Sequence, residues 1–337
     1  MSEGTPITRE GVEHAYRYLL GRPPENEKAY QYGLSAGTVE TLRRWILNSA
    51  EFSQKLRRDA PHALRRSILD ELQMPPAEAP PSVAEGRPRI VFLHMMKTAG
   101  TSIRRRLEEL AEGEPVFRRE KDGRPGDVPA ADLARYRVVM GHFNILDARH
   151  VPEPRRIFTV LREPRERLVS FYHFLHRHRA EVVEERGMER ARIARACTLE
   201  QFLAHPDPGV RGTLQNVMTC TLAGDYRPIG ADRYLQPWES PRDAITGPEL
   251  LRRALGNLFA LDFVTFVDRL EEDRPRLMQA LGLPDTGPLP RENTRDEVNP
   301  VVEPRPEPEI TPRAGALLRR LTDLDRVLYG LARQHYG

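Results

Sequence analysis

Arg89-Ile90-Val91-Phe92-Leu93-His94-Met95-Met96-Lys97-Thr98-Ala99-Gly100-Thr101-Ser102-Ile103 runs from an apolar stretch through a turn of small residues into a helical pattern. Ile90 to Leu93 carry the β-branched and aromatic side chains of a buried parallel strand. Thr101 or Ser102 then opens the repeat Ile103, Leu107, Leu110, which has helical spacing. A helix start leaves its first N–H groups unpaired and carries partial positive charge. With Lys97 beside those donors and Gly100 permitting close approach, the turn suits a phosphate-like anion, and the hydroxyls of Thr101 and Ser102 add donors. A Walker loop would read Gly-x-x-x-x-Gly-Lys-Ser/Thr. Here Lys97 comes before the only glycine of the loop, so the order is different.

Further along, Arg137 to Met140, Arg156 to Leu161 and Phe263 to Val267 repeat the strand signal, with helical patterns between them. Such alternation implies an α/β domain, a P-loop-like parallel sheet flanked by helices. Ligands on these sheets bind beyond the carboxyl ends of the strands, and His94, His142 and Arg162 each follow a strand. In Leu161-Arg162-Glu163-Pro164-Arg165-Glu166-Arg167-Leu168-Val169-Ser170-Phe171-Tyr172, Pro164 suits a first helical turn, and the helix brings round Arg167, Ser170 and Phe174. Arg162 and Ser170 can therefore converge on one anion, the guanidinium as a charge-assisted fork and the hydroxyl as a further donor. Between the two signals, Gly141 lets backbone approach a ligand, and His142 supplies an imidazole that titrates near neutrality.

A chain of 337 residues has room for one large α/β domain and a small companion. Its 52 Lys and Arg against 49 Asp and Glu leave a net charge of +3 without a long single-sign block, so no nucleic-acid partner is demanded. The composition is rich in arginine and poor in lysine, as in high-GC bacterial sequences. No apolar run is long enough for a transmembrane segment, and Met1-Ser2-Glu3-Gly4-Thr5 lacks a basic-then-apolar export signal, which gives the expectation of a cytoplasmic protein. Two cysteines, Cys197 and Cys220, are too few for a disulfide framework and lack metal-ligand spacing. The histidines of Tyr172-His173-Phe174-Leu175-His176-Arg177-His178 lack the i, i+4 pair of a zinc helix, so no metal is expected.

Upstream, Val12, Ala15, Tyr16, Leu19 and Leu20 repeat at helical spacing, Gly21-Arg22-Pro23-Pro24 stops that helix, and Thr41, Leu42, Trp45 and Ile46 restart the pattern. Leu64 to Leu72 suit one more helix, and the proline-rich run from Met74 to Ser82 sustains neither helix nor sheet. The expected organisation is an all-helical accessory module at 1–74, a linker at 75–88 and the main domain at 89–337.

These motifs resemble those of sulfotransferases that use PAPS (3′-phosphoadenosine 5′-phosphosulfate), particularly the carbohydrate branch with the heparan and chondroitin O-sulfotransferases. The loop of that branch typically reads His-x-Pro-Lys-Thr-Ala-Gly-Thr-Ser, and Met96 stands here for the proline. The element that binds the 3′-phosphate is written Arg-x-Pro-x-x-Arg-x-x-Ser-x-Tyr, and every named position is present from Arg162 to Tyr172. The resemblance covers about 89–332 and implies a sulfotransferase fold. It implies that Lys97, Thr98, Ala99, Gly100, Thr101 and Ser102 hold the phosphosulfate, that Lys97 also neutralises charge on the bridging oxygen, and that Arg162 and Ser170 grip the 3′-phosphate. It makes His142 the general base towards an acceptor hydroxyl.

Thr213 to Gly224 resembles a segment Gln-Asn-x-x-Thr-Arg-x-Leu-x-Gly that lines the site, which makes Asn216 a substrate contact and leaves Cys220 where arginine is common. Asn293, Thr294 and Arg295 resemble a loop that closes over the nucleotide phosphates, and His173 or His176 is expected to border the acceptor cleft. Leu317, Leu321, Leu324, Leu328 and Leu331 are expected to form one closing helix, with Asp325 and Tyr329 echoing the family's Leu-Asp-x-x-Leu-Tyr pattern. The implied acceptor is a sugar hydroxyl on an oligosaccharide, polysaccharide or glycolipid. Ala15 to Pro23 and Asn48 to Phe52 resemble a bacterial helical module of unknown function, either a glycan-associated or docking accessory or a helical pair packed on the main domain. Two other functions fit parts of the pattern. An ATP-dependent kinase would need a strand-end carboxylate such as Asp268 to hold magnesium. A non-catalytic glycan- or partner-binding protein with a decayed nucleotide site would explain Met96 and Cys220.

Overall fold

The computed structural model describes residues 6–20, 22–47, 87–111, 113–230, 232–290 and 301–337. The helix expected at Leu64–Leu72, the segment Asn48–Phe52, most of the 75–88 linker and the Asn293-Thr294-Arg295 loop lie outside them. In the N-terminal part, α1 (Arg9–Leu20), α2 (Glu27–Leu34) and α3 (Val39–Leu47) gather around Val12, Tyr16, Leu20, Leu42 and Ile46. The sequence reading anticipated α1 and α3. It missed α2, which starts at the Asn26 cap, where the side chain accepts from the Ala29 N–H.

The main domain is mixed α/β, and its centre is a five-stranded sheet in the order β2-β3-β1-β4-β8. These strands are β1 (Arg89–Leu93), β2 (Val116–Arg118), β3 (Val138–Gly141), β4 (Arg155–Leu161) and β8 (Phe263–Phe266). Every pairing is parallel, with Val91 of β1 opposite Val139 on one side and Ile157 on the other. Two helical layers explain why the strands are apolar on both faces. Val91, Leu93, Val139, Leu161 and Phe266 meet α5 (Ile145–His150), α7 (Val217–Ala223), α8 (Gly247–Leu258) and α11 (Asp323–Tyr336). The alternate residues Ile90, Phe92, Val138, Met140, Phe158 and Val160 meet α4 (Gly100–Leu110) and α9 (Leu270–Leu281). A third core joins α6 (Pro164–His176) to α10 (Pro312–Leu321) through Leu168, Phe171, Leu175, Ala314 and Leu318. Burying each large side chain contributes about 1.5–3 kcal/mol.

A second, antiparallel sheet of three short strands, β5 (Arg227–Pro228), β6 (Arg233–Leu235) and β7 (Ile245–Thr246), follows α7. Three details differ from expectation. The loop helix starts at Gly100 rather than at Thr101 or Ser102. An edge strand, β2, was not anticipated. The closing helix is two helices, interrupted at Thr322, whose hydroxyl donates to the Leu318 carbonyl while its backbone leaves helical geometry. Since β1 lies between β3 and β4, the carboxyl ends of these three strands deliver His94, His142 and Arg162 to one rim of the sheet.

Candidate functional site

Leaving β1, the chain turns sharply because Lys97 and Ala99 adopt left-handed backbone conformations, with φ of 68° and 60°. The fully buried Thr98 pins this turn, its hydroxyl donating to the Met95 carbonyl at 2.8 Å. Its side chain is therefore spent on the loop itself, so any part Thr98 takes in holding a ligand falls to its backbone. Ala99 caps α4 and offers no side-chain acceptor to the first N–H groups. Gly100 is required here because a Cβ would run into the His94 imidazole. Thr101 and Ser102 follow, half-buried, in the first turn of α4.

Lys97 projects into a cleft of about 610 Å³ that it shares with Arg162, Ser170, His173, Phe174 and Arg177. Most of these lie on α6. Pro164 stands at the first turn of that helix, and Glu163 caps it by accepting from the Glu166 N–H. Helical spacing then turns Glu166, Ser170, His173 and Arg177 towards the cleft. The opposite wall is formed by Val302, Glu307, Ile310, Gly315, Leu318 and Arg319. Among the described residues, the positive charge of Lys97 and Arg162 is undercompensated. Among these same residues the Arg162 Nε is buried without a hydrogen-bond partner, and the carboxylate paired with it, on Glu166, lies 3.6 Å away. Burial, then the Arg162 and Arg177 guanidinium groups, lower the Lys97 pKa to about 8. The two cations read from separate motifs thus face one cavity, whose volume is that of an ordinary small-ligand site.

Across the loop a second cleft of about 260 Å³ is lined by His94, Met95, Met96, Arg119, Arg124, His142, Arg167 and Cys220. Gly141, with φ of 144°, brings the strand end against the Arg119 backbone, so a side chain there would collide. The His142 Nδ1 lies 2.9 Å from the His94 carbonyl and donates to it, leaving Nε2 as the free acceptor. The His142 and His94 rings lie 4.2 Å apart. Burial lowers the His142 pKa, partly offset by that hydrogen bond, and burial followed by the His142 ring pushes His94 well below its ordinary value. Both imidazoles are therefore neutral near pH 7. The wall is braced by Arg124, which pairs with Asp147 and with Asp225, each at 3.2 Å. Asp147 also completes a capping box with Asn144 at the start of α5.

The two clefts sort the expected residues differently from the sequence reading. His173 belongs to the Lys97 cleft, its Nε2 donating to the Arg305 carbonyl at 3.2 Å, and does not line the His142 cleft. His176 stacks on Tyr172 and lines neither. Arg167 leaves the face of Ser170 and reaches the second cleft, fully buried and, among the described residues, with no hydrogen-bond partner for its guanidinium.

Asn216 is not a substrate contact. It is 0% exposed, its amide donates to the Tyr234 hydroxyl and to Asp323, and its carbonyl oxygen accepts from the Leu324 and Asp325 N–H groups. In return, Asp325 accepts from the Met218 and Thr219 N–H groups and the Thr219 hydroxyl. Each residue caps the helix that the other precedes or begins, so α7 and α11 are clasped at their starts. Asp268, the carboxylate a kinase would need, is bound by Arg333 at 3.0 Å and does not line the Lys97 cleft.

Residues 81–323 match the family described as the Sulfotransferase family. That match makes the protein a transferase by class, and the chain belongs to the sulfotransferase family, whose members move sulfuryl groups. No curated protein matches the chain. Among the described residues no helix is long and apolar enough to cross a membrane.

Proposed function

We propose that this protein moves the sulfuryl group of PAPS to a hydroxyl of a carbohydrate or glycolipid acceptor. The observation that carries this reading is the shared cleft of Lys97, Arg162 and Ser170, two undercompensated cations and a hydroxyl within one cavity of nucleotide size. Bound there, PAPS would supply a sulfuryl group on an activated phosphosulfate bond. Lys97 and the open N–H groups at the start of α4 would hold the 5′-phosphosulfate, and Lys97 would neutralise the charge that builds on the bridging oxygen. Arg162 and Ser170 would take the 3′-phosphate, which ATP lacks. Asn293, Thr294 and Arg295 would close over the phosphates.

The acceptor hydroxyl would enter from the His142 side of the loop. As its oxygen forms a bond to sulfur, the bridging oxygen departs on adenosine 3′,5′-bisphosphate, and the free Nε2 of His142 takes the hydroxyl proton. A neutral imidazole with Nδ1 already committed is in the right state for that step. In this reading 1–74 is an accessory unit, 75–88 its linker and 89–337 the catalytic domain.

The test is transfer from labelled PAPS, with ATP in parallel, to a panel of desulfated glycans, glycolipids and small alcohols read by mass spectrometry. Sulfated product from PAPS is expected. ATP turnover without sulfate transfer rejects the assignment. His142→Ala should lower kcat by about 10²–10⁴-fold while adenosine 3′,5′-bisphosphate binds as before. Unchanged turnover would remove His142 from the base role.

A further inference from the structure

We propose that Phe174 is the positioning residue for Lys97, its ring holding the ammonium out over the cleft in place of a carboxylate. The inference rests on the sulfotransferase reading of that cleft. The Lys97 Nζ stands 4.1 Å from the centroid of the Phe174 ring, and both side chains line the same cavity. Among the described residues Lys97 makes no ion pair.

The charges around it explain why the ring matters. The start of α6 presents Arg162, Glu163, Arg165 and Glu166, its far end His173 and Arg177, α10 presents Arg319, and the segment before α10 presents Glu307. His178 lies behind the ring, and His94 and His142 lie across the loop. Of the carboxylates, Glu163 is held by Arg165 at 2.9 Å and by the Glu166 N–H, and Glu166 leans on Arg162. Lys97 is left facing like charges, and the negative face of an aromatic ring is the group in direct contact with its ammonium.

Chemistry favours this choice of partner. A carboxylate in contact with Lys97 would neutralise it and compete with the incoming phosphosulfate for the same protons. A ring face attracts the ammonium and presents no acceptor that must be displaced. Phe174 is itself held in place. The His178 ring packs against it at 85° with centroids 4.6 Å apart, and the His178 Nδ1 donates to the Phe174 carbonyl at 2.8 Å. Phe174 remains 37% exposed, on the cleft side, so substitution there spares the core. Phe174 and His178, which the sulfuryl-transfer mechanism left unused, thus acquire a place: one aromatic ring carries the lysine, and one imidazole carries the ring.

The experiment is calorimetric titration of adenosine 3′,5′-bisphosphate into the full-length wild-type protein, Phe174→Leu and Phe174→Tyr between pH 6.5 and 9.5. Near pH 6.5, where Lys97 is charged in all three, the Leu variant should bind within about twofold of wild type. At pH 9 it should bind about threefold to tenfold more weakly, because without the ring the free lysine loses its proton at lower pH. The Tyr variant, which keeps the ring face, should follow wild type throughout. A Leu variant that tracks wild type at every pH, or one weakened equally at every pH, overturns the proposal. Failure of the wild-type protein to bind the bisphosphate would instead overturn the sulfotransferase reading beneath it.

Discussion

In the proposed complex Arg162 and Lys97 would hold opposite ends of the nucleotide, so replacing each should produce a different defect. Arg162→Ala removes a charge-assisted donor whose loss is worth about 1.5–3 kcal/mol. Adenosine 3′,5′-bisphosphate should therefore bind about 10–150-fold more weakly, while AMP, which has no 3′-phosphate, should bind unchanged. Equal loss for both ligands in calorimetry would contradict that assignment. Lys97→Ala should weaken both ligands and abolish the pH dependence between 7 and 9.5. The sign follows from the lysine. Its pKa is lowered to about 8 in the free protein, so above that pH the bound phosphate must recruit a proton, and wild-type affinity should fall by about tenfold per unit. Residue identity at these positions was legible in the sequence because a strand end, a turn and a helix start fix where a side chain points. Phe174 was not recognised as a partner of Lys97, since nothing in the order of residues brings the two together.

Among the elements, the clasp between α7 and α11 holds the wall of the His142 cleft. Asn216 and Asp325 are far apart in sequence, and each satisfies backbone donors that a helix start leaves open. Asn216→Ala strips the Asp325 N–H of its side-chain acceptor, leaves the Leu324 N–H to Asp323 alone, and leaves the buried Tyr234 hydroxyl with Gln215 as its remaining amide donor. The expected cost is about 2–3 kcal/mol in urea denaturation, and an unchanged midpoint would show that the clasp carries no load. The segment was legible as a motif and does line the His142 cleft through Met218 and Cys220, whereas Asn216 within it braces the wall. The two roles were not separable beforehand, because a polar residue beside a site and a polar residue bracing it look alike in sequence. The same limit hid the break at Thr322. The leucine repeat runs on through it, and only the packing of α10 on α6 and of α11 on the sheet separates the two helices.

At the scale of the molecule, the residues lining both clefts fall between His94 and Arg319, and the N-terminal helices keep a core of their own. A chain of residues 87–337 should therefore bind adenosine 3′,5′-bisphosphate with the affinity of the full protein, and loss of binding would assign the N-terminal unit to the site. The parallel sheet was readable because strands buried on both faces are apolar at every position. The three-residue edge strand β2 and the small antiparallel sheet are too short to carry such a pattern. The claim on which the rest depends is that one nucleotide spans the Lys97 cleft from end to end. A crystal structure with adenosine 3′,5′-bisphosphate tests it most directly. The 5′-phosphate should lie on Lys97 and the start of α4, with the 3′-phosphate on Arg162 and Ser170. A nucleotide bound elsewhere, or in this cleft without a phosphate on Arg162, would contradict it.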